Sequence, residues 1–371
     1  MSYDTQVYDA WLASAELPYE WLITLLHEKK SAHAVYHDLI MQKNPMKDLI
    51  PDKCRSRLLQ FADQEQMGTF RELTEKHRIR SMTILDSAFP HCLRELPDPP
   101  GILFYQGDPG CLKLPKITAM VGSRAASYAG LKAARRIACD LSRNGVAVIS
   151  GLAYGIDSEC HRGCIEGGSP TIAVMGCGLD QTYPVENEQL KQDILNGKGL
   201  ILSEYAPGIK PIGRHFPYRN RIISGMADTV ILMEARIRSG SMTTISHALK
   251  QGKEVYAYPG DPSSPLTDGN RLLLREGARY FSEARDILTD MNWLDNQSHV
   301  GQNSDCSTPQ SEEDSSESAV YKALLKGELG FDELIGATGL TSSALMSTLT
   351  IMQIKKRVES LPGKKYRLVQ P

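Results

Sequence analysis

The sequence predicts an α/β protein whose central sheet is parallel and doubly wound. Between residues 115 and 290, six runs of about five residues are mainly apolar and rich in Val, Ile and Leu. Runs that do not alternate in polarity are typical of strands buried on both faces. Helical segments such as 127–143 separate them, and alternating strands and helices predict parallel pairing. The six runs are 117–121, 146–150, 171–175, 200–203, 229–234 and 254–258.

Regions of different pattern flank this sheet. Residues 1–80 show helical apolar spacing and predict a small helical domain, while residues 81–290 hold the predicted sheet domain. Residues 291–317 predict a flexible acidic linker, because the stretch from 295 to 317 has six acids and no Lys or Arg. Residues 318–371 predict three short helices and a hairpin, which is the outline of a winged-helix domain.

Charge is unevenly distributed along the 371 residues. Lys and Arg number 42 and Asp and Glu number 44, so the formal net charge is −2 and by itself indicates no polyanionic partner. By segment, however, 295–317 carries −6, 209–221 carries +4 and 353–371 carries +5. The concentrated positive charge favours DNA as a partner.

Several function classes are excluded by composition. The eight cysteines show no paired C-x-x-C spacing, and Cys160, His161 and Cys164 lack a visible fourth ligand, so neither a metal site nor a disulfide framework is predicted. The N-terminus does not resemble a signal peptide, and no apolar run approaches the ~20 residues that span a bilayer. We therefore expect a soluble, cytoplasmic protein without membrane contact.

The first candidate binding motif follows the first predicted strand. Gly122, Ser123 and Arg124 stand where that strand turns into a helix, and ligands of such sheets bind beyond the carboxyl ends of strands. Glycine allows close backbone approach, and an arginine fork suits phosphate. Arg124 and Ser127 occupy the second and third glycine positions of the dinucleotide motif, which disfavours a dehydrogenase. A plain tight turn with Arg124 in solvent remains an alternative.

The second candidate is the segment 209–221, which has four cations and no acid. Cations between aromatic side chains suit a nucleic-acid strand, because charge holds the backbone and rings stack on bases. Asn220 could contact a base or hold the loop. The alternative is a solvated loop in which Phe216 and Ile222 pack inward. The cations are Lys210, Arg214, Arg219 and Arg221, interleaved with His215, Phe216 and Tyr218.

A third candidate begins a later helix. Ser239, Gly240 and Ser241 follow Arg236 and Arg238, and hydroxyls with free N–H groups at a helix start can bind an anion. An ordinary serine N-cap is the alternative reading, although it accounts for only one hydroxyl.

Two polar pairs have less specific signals. Asp157 and His161 are four residues apart on a predicted helix, and no nucleophile is spaced to accompany them, so a structural role is favoured over acid–base catalysis. Asp180 and Tyr183 could face the same crevice, and their role stays open.

Six motifs, whose order along the chain is given at the end of this paragraph, together resemble the bacterial DNA-processing protein A family (DprA, also called Smf). The resemblance implies an extended Rossmann-type domain that binds single-stranded DNA, forms a homodimer and delivers the recombinase RecA onto incoming strands during natural transformation. The N-terminal region resembles the family's sterile-alpha-motif-like domain. The C-terminal region resembles its winged-helix domain, for which contact with duplex DNA and contact with protein are both open. The motifs are 122–124, 150–157, 171–184, 216–222, 239–241 and 258–261.

The resemblance also implies roles for individual residues. Gly122, Ser123 and Arg124 would bind a phosphate at the first strand–helix turn, and Ser239, Gly240 and Ser241 would complete the rim. The positively charged DNA pocket would be lined by Lys210, Arg219, Asn220 and Arg221. Arg214 and Phe216 are further DNA-binding candidates, from the pattern of the basic segment itself.

An enzymatic alternative comes from phosphoribohydrolases of the same sheet fold. Those carry a Pro-Gly-Gly-x-Gly-Thr-x-x-Glu turn whose glutamate acts on the N-glycosidic bond. Ser246 and His247 stand where that acid would be, so the mechanism lacks its carboxylate and we expect no catalysis and no cofactor. A protein-interaction scaffold without DNA contact is the third class, and the basic, aromatic segment argues against it.

Overall fold

The structure, a computed structural model, describes residues 3–41, 49–294 and most of 319–368. The gaps in the last range are 326, 341–344, 347, 350–351, 354–356 and 362–364. The chain divides into two compact units, Met1–Asn296 and Gln297–Pro371. The acidic part of the predicted linker, 295–317, and the predicted hairpin tip at 362–364 lie outside the described residues.

The first unit is built on a sheet that has nine strands over the described residues. The strand order is β1-β2-β6-β5-β4-β3-β7-β8-β9, and β3 to β8 pair in parallel. These six strands confirm the sequence prediction, with ends that differ by at most two residues. Their bounds are β3 (Ile117–Val121), β4 (Ala147–Ser150), β5 (Thr171–Met175), β6 (Leu200–Ser203), β7 (Thr229–Leu232) and β8 (Glu254–Ala257).

Short strands at both edges extend the predicted sheet. β1 (Arg80–Thr83) pairs antiparallel with β2 (Ile102–Gly107), which pairs antiparallel with β6, while β9 (Arg279–Tyr280) pairs in parallel with β8. The connection from β1 to β2 holds only the four-residue helix α6 (His91–Arg94). Without a full crossover helix, consecutive strands pair antiparallel, so the sheet is mixed rather than purely parallel.

Helices cover the sheet between successive strands. Ser127 begins α7 by accepting a hydrogen bond from the Gly130 N–H, and α8 approaches α7 so closely that a Cβ on Gly163 would lie 2.2 Å from a carbonyl oxygen of α7. The helices are α7 (Tyr128–Arg143), α8 (Ile156–Gly167), α9 (Glu188–Asn196), α10 (His215–Met226), α11 (Ser241–Lys250), α12 (Asp268–Arg275) and α13 (Ala284–Asp290).

The N-terminal helices share one hydrophobic core with the sheet. Trp11 is fully buried and donates its indole N–H to the Leu58 carbonyl oxygen at 3.1 Å. It belongs to the same apolar cluster as Leu25 of the helical region and Phe104 of β2. The helices are α1 (Tyr3–Ser14), α2 (Tyr19–Lys29), α3 (Ala32–Met41), α4 (Asp52–Gln60) and α5 (Gln64–Lys76).

A buried carboxyl joins α1 to the sheet. The Ser81 hydroxyl donates to Asp9 Oδ2 at 2.7 Å. Burial raises the pKa of Asp9 to about 7, although this hydrogen bond opposes the rise. The folded state therefore binds the proton more tightly than the unfolded state, and stability from this group is lost as pH rises from about 4 through 7.

We expect Asp9→Asn to remove that loss. The free energy of unfolding of the variant minus that of the parent should increase by a few kcal/mol as the pH rises from 4.5 to 8. Urea denaturation at intermediate pH values measures the difference between the two proteins, in which the titration of all other groups cancels. Parallel pH profiles would contradict the prediction.

The second unit has the predicted winged-helix outline. Residues 319–324 form a helix, α14, and α15 (Phe331–Thr338) follows the short strand β10 (Leu329–Gly330). β11 (Val358–Leu361) and β12 (Lys365–Leu368) form the hairpin, and the sheet order is β10-β12-β11. Among the described residues of the chain, no helix is both long and apolar enough to cross a bilayer.

Candidate nucleic-acid interface

A cavity of about 640 Å³ opens beyond the carboxyl ends of the central strands. From β3 the chain proceeds outward through β4, β5 and β6, and then crosses over to β7 on the other side of β3. The cavity therefore lies at the point where the strand order reverses, which is the usual ligand position in such sheets. Loops after β3, β4, β5, β6 and β7 all contribute to its walls.

The turn after β3 forms one wall, as the sequence predicts. A Cβ on Gly122 would lie 2.5 Å from Ile156 Cγ1, so glycine lets the start of α8 pack directly against the turn. The Ser123 N–H donates to the Glu234 carbonyl oxygen at 2.6 Å, which fixes the turn to the end of β7. The exposed Arg124 guanidinium lies 5.4 Å from the ring centroid of Phe216.

The basic segment, considered above as a loop, continues from residue 215 as helix α10. Arg219, Asn220 and Phe216 line the cavity, whereas Arg221 does not, so the structure does not bring Arg221 together with the other candidates. Two residues along a helix turn about 200° around its axis, so Arg219 and Arg221 point to opposite sides.

Arg221 is instead part of the core beneath α10. Its side chain is fully buried, with Nη1 and Nη2 at 2.9 and 2.6 Å from the Glu204 carboxylate and Nε at 3.2 Å from Asp98 Oδ2. The guanidinium also stacks 3.9 Å from the ring centroid of Tyr218. Arg221 therefore holds α10 to the sheet.

Arg219 is a fixed cation in the cavity wall. Its Nη1 donates to the Gly151 carbonyl oxygen at 3.0 Å, and Asp157 Oδ2 accepts from the Gly151 N–H at 3.1 Å. Burial lowers the pKa of Arg219 to about 10, against the effect of Asp157. Burial likewise raises the pKa of Asp157, against the effect of Arg219. The two charges stabilise each other at the end of β4.

The third motif closes the rim. Ser239, Gly240 and Ser241 line the cavity where α11 begins. Asn220 Nδ2 donates to Thr243 Oγ1 at 2.7 Å, which ties α10 to α11. Of the two roles left open for Asn220, the structure shows the one that holds the loop.

Lys210 and Arg214 lie outside the cavity lining. Both are exposed, and Arg214 Nη2 contacts Glu16 Oε2 at 2.8 Å. Lys210 directly precedes Pro211, which lines the cavity, so Lys210 is near the rim.

The structure adds cavity residues that were not among the DNA-binding candidates. Arg236 and Arg238 line the cavity and are exposed. With Arg124 and Arg219 they make four arginines in a lining that has one acid, Asp157, among the described residues. Their position just before the serine-rich turn was the available signal. The ring of Tyr183, which also lines the cavity, lies 5.2 Å from that of Phe216 by centroids. The site thus combines positive charge with an aromatic surface.

A buried amide that the sequence did not reveal supports the loop with Arg236. Asn270 is fully buried, and its Oδ1 accepts from the Ala235 N–H at 2.9 Å. Its Nδ2 donates to the carbonyl oxygens of Leu232, Met233 and Tyr258. This network satisfies the ends of β7 and β8 and fixes where the loop leaves the sheet.

His161 and its neighbours belong to the packing of α8. His161 is fully buried, with Nδ1 2.8 Å from Thr171 Oγ1, and burial lowers its pKa to about 3. Among the residues described, no three His, Cys, Asp or Glu side chains are grouped closely enough to hold a metal ion.

We expect Gly155→Ala to damage the turn after β3. Gly155 has φ +75°, and a Cβ there would lie 2.4 Å from the Ser123 carbonyl oxygen. The free energy of unfolding should fall by about 2 kcal/mol or more. Gly240→Ala is the matched control, since its φ is −60° and a Cβ would meet no atom within 4 Å. Thermal denaturation compares them; equal stabilities would contradict the prediction.

The sequence of this chain is similar to those of known proteins. A family model described as DNA recombination-mediator protein A matches residues 80–292, more than half of the chain. The chain belongs to this family. A second model, the DprA winged helix domain, matches residues 306–364.

DNA processing protein DprA of Streptococcus pneumoniae is 42% identical over 219 residues, which is 59% of this chain and 77% of that protein. DprA of Bacillus subtilis is 36% identical over 57% of this chain and 71% of that protein.

Solved DprA structures have the same fold. The X-ray structure of DprA from Streptococcus pneumoniae matches with a TM-score of 0.64 and 35% identity, over 76% of this chain and 95% of that one. DprA from Helicobacter pylori, whose structure addresses its single-stranded DNA binding mode, matches with a TM-score of 0.53 and 29% identity, over 58% and 97%. The resemblance to the DprA family inferred from the motifs is therefore confirmed.

Proposed function

We propose that the chain binds single-stranded DNA in this cavity and delivers the strand to RecA in natural transformation or homologous recombination. The observation that carries the proposal is the cavity's charge: four arginines surround one acid that is itself buried and hydrogen-bonded. Binding of single-stranded DNA by DprA of Helicobacter pylori supports it. The predicted homodimer through the Rossmann-type domain and the cytoplasmic location are part of the same proposal.

Two kinds of contact would hold the strand. The exposed guanidiniums of Arg124, Arg236 and Arg238 suit phosphates, and the paired rings of Tyr183 and Phe216 suit bases. Phosphate contacts and stacking are both tolerant of sequence. We therefore propose binding without strong sequence preference.

We propose that the site is not catalytic. Among the described residues, Asp157 is the one carboxylate in the cavity lining; it accepts a hydrogen bond from the Gly151 N–H, and Arg219 donates to the carbonyl oxygen of the same glycine. The Asp157 carboxylate therefore stabilises the cavity wall. The alternative phosphoribohydrolase mechanism needs a carboxylate that is free to act on the substrate.

Fluorescence anisotropy with single-stranded and duplex oligonucleotides across a salt series tests the DNA site. We expect preferential binding of the single strand and a linear fall of log K with log salt. Equal affinity for both forms, or no salt dependence, would contradict it. Delivery is tested separately: a strand already bound by the protein should nucleate RecA filaments faster than the bare strand. Unchanged nucleation with intact DNA binding would refute delivery alone.

We expect Phe216→Leu to weaken single-strand binding about tenfold without changing the salt slope, because stacking contributes about 1–3 kcal/mol per base. Phe216→Tyr keeps the ring and should retain most of the affinity. Anisotropy at several salt concentrations separates lost stacking from lost charge. A flatter salt slope in the leucine variant would show that the ring acts through Arg124.

A further inference from the structure

A second cavity, of about 510 Å³, lies on the other side of α10 from the cavity of about 640 Å³ proposed to bind DNA (the DNA cavity). Its walls come from α1, α2, the loop after β6 and the first turn of α10. The volume is within the range typical of small-molecule sites, about 300–1,000 Å³. Arg214, His215 and Tyr218 of the basic segment line this cavity rather than the first one.

The walls are aromatic and apolar. Tyr205 and His215 stack with ring centroids 3.9 Å apart and an interplanar angle of 16°. Tyr19 and Tyr218 add two further rings, and Leu17, Leu22 and Ile102 add apolar surface. Flat aromatic walls favour a flat ligand that can stack.

The charges lining this cavity cancel. Arg214 Nη2 contacts Glu16 Oε2 at 2.8 Å, and Arg57 Nη1 donates to the Glu16 carbonyl oxygen at 3.2 Å. The Glu204 carboxylate is held by Arg221, which lies outside the lining. The lining contains two arginines and two glutamates, whereas the DNA cavity has four arginines and one acid. The second cavity therefore suits a neutral group rather than a phosphate.

Polar atoms that form no hydrogen bond lie in the stacked pair. Tyr205 lines the cavity, and its hydroxyl forms no hydrogen bond within the described part of the chain. His215 Nδ1 lies 3.3 Å from the Gly176 carbonyl oxygen, while Nε2 is buried and without a hydrogen bond. A hydroxyl that lines a cavity and forms no hydrogen bond with the protein is open to a ligand or to water. The ligand is thus expected to carry a hydrogen-bonding group.

We propose that the second cavity binds a neutral, planar heterocycle of the nucleobase class, which packs against the tyrosine rings and hydrogen-bonds to the Tyr205 hydroxyl. The heterocycle is either a free nucleoside or a base of the DNA strand. A base of the DNA strand as the source rests on the proposed function. A strand in the first cavity could place a base in the second one because α10 borders both cavities. Phe216 and Arg219 of this helix face the DNA cavity, and His215 and Tyr218 face the second one.

The first test uses the fluorescent nucleoside 2-aminopurine deoxyriboside with the full chain. We expect Tyr205→Phe, which keeps the ring and its stack on His215, to weaken binding about fivefold, the effect of one neutral hydrogen bond. Tyr19→Ala removes an aromatic wall and should weaken it by a similar factor or more. Tyr128→Phe makes the same deletion in an exposed tyrosine outside both cavity linings and should have no effect. Absence of binding, or equal affinity in the parent and Tyr205→Phe proteins, would overturn the proposal.

The second test distinguishes a base of the DNA strand from a free nucleoside. It also distinguishes failure of this proposal from failure of the proposed function. Oligonucleotides carry 2-aminopurine at one position at a time; a fluorescence change that Tyr205→Phe reverses identifies a base of the strand. A response confined to the free nucleoside identifies a free ligand. Arg124→Ala with Arg238→Ala removes exposed cations of the DNA cavity only. If nucleoside binding is lost in that double variant but not in Tyr205→Phe, the nucleoside occupies the DNA cavity and the second site is refuted.

Discussion

Replacing Arg124 and Arg238 together by alanine should lower the affinity for single-stranded DNA by about 100-fold at low salt. Both guanidiniums line the cavity, are exposed, and form no ion pair within the described part of the chain. A hydrogen bond to a charged group contributes about 1.5–3 kcal/mol, or roughly tenfold or more each. Losing two phosphate contacts should also flatten the slope of log K against log salt by about 1.4.

The salt slope makes this test specific. Arg285→Ala, on the exposed surface of α13 and outside the cavity lining, removes one positive charge away from the cavity and should leave the slope unchanged. Anisotropy titrations at four or more salt concentrations measure both proteins. A folded double variant with the affinity and slope of the parent would refute the DNA cavity.

Arg221→Ala should lower the free energy of unfolding by about 3–5 kcal/mol, the usual effect of removing one partner of a buried ion pair. The Glu204 side chain is only 17% exposed and would lose its bidentate partner. Asp98 would lose its contact at 3.2 Å, and Tyr218 would lose the guanidinium stacked on its ring. Chemical denaturation measures the change.

Arg236→Ala separates this structural role from DNA contact. Arg236 is exposed at the cavity, so its loss should change stability by less than about 0.5 kcal/mol and weaken DNA binding. Arg221→Ala should do the reverse under conditions where the variant remains folded. If the Arg221→Ala protein is folded, has parental stability and binds DNA more weakly, Arg221 acts in DNA binding and not in holding α10.

The central strands could be predicted because their residues are buried on both faces. Val148 and Ile149 of β4, for example, are both fully buried, so no polar residue interrupts the run. The edge strands carry weaker signals: β9 has two residues, both exposed. The glycine-led turns of the site were also predictable, because close backbone approach after a strand leaves few other residues possible.

The division of the arginines could not be predicted. Arg219 and Arg221 have the same residue type and nearly the same position, and only the phase of α10 assigns one to the cavity and the other to the core. The partners of Arg221 are far away in sequence, Glu204 at 17 residues and Asp98 at 123. Asn270 reaches a loop 35 residues earlier, at Ala235, in the same way. Such pairings depend on tertiary packing, which periodicity does not encode.

The continuous core beneath the N-terminal helices has a consequence for cooperativity. A chain shortened to begin at residue 81 would lose the part of this core that α1 to α5 contribute and would leave Ser81 without Asp9. Amide hydrogens in α1 and β2 should therefore exchange through the same opening event, as parts of one foldon. The family match begins at residue 80, on the first residue of β1, so that sequence boundary runs through a single cooperative unit.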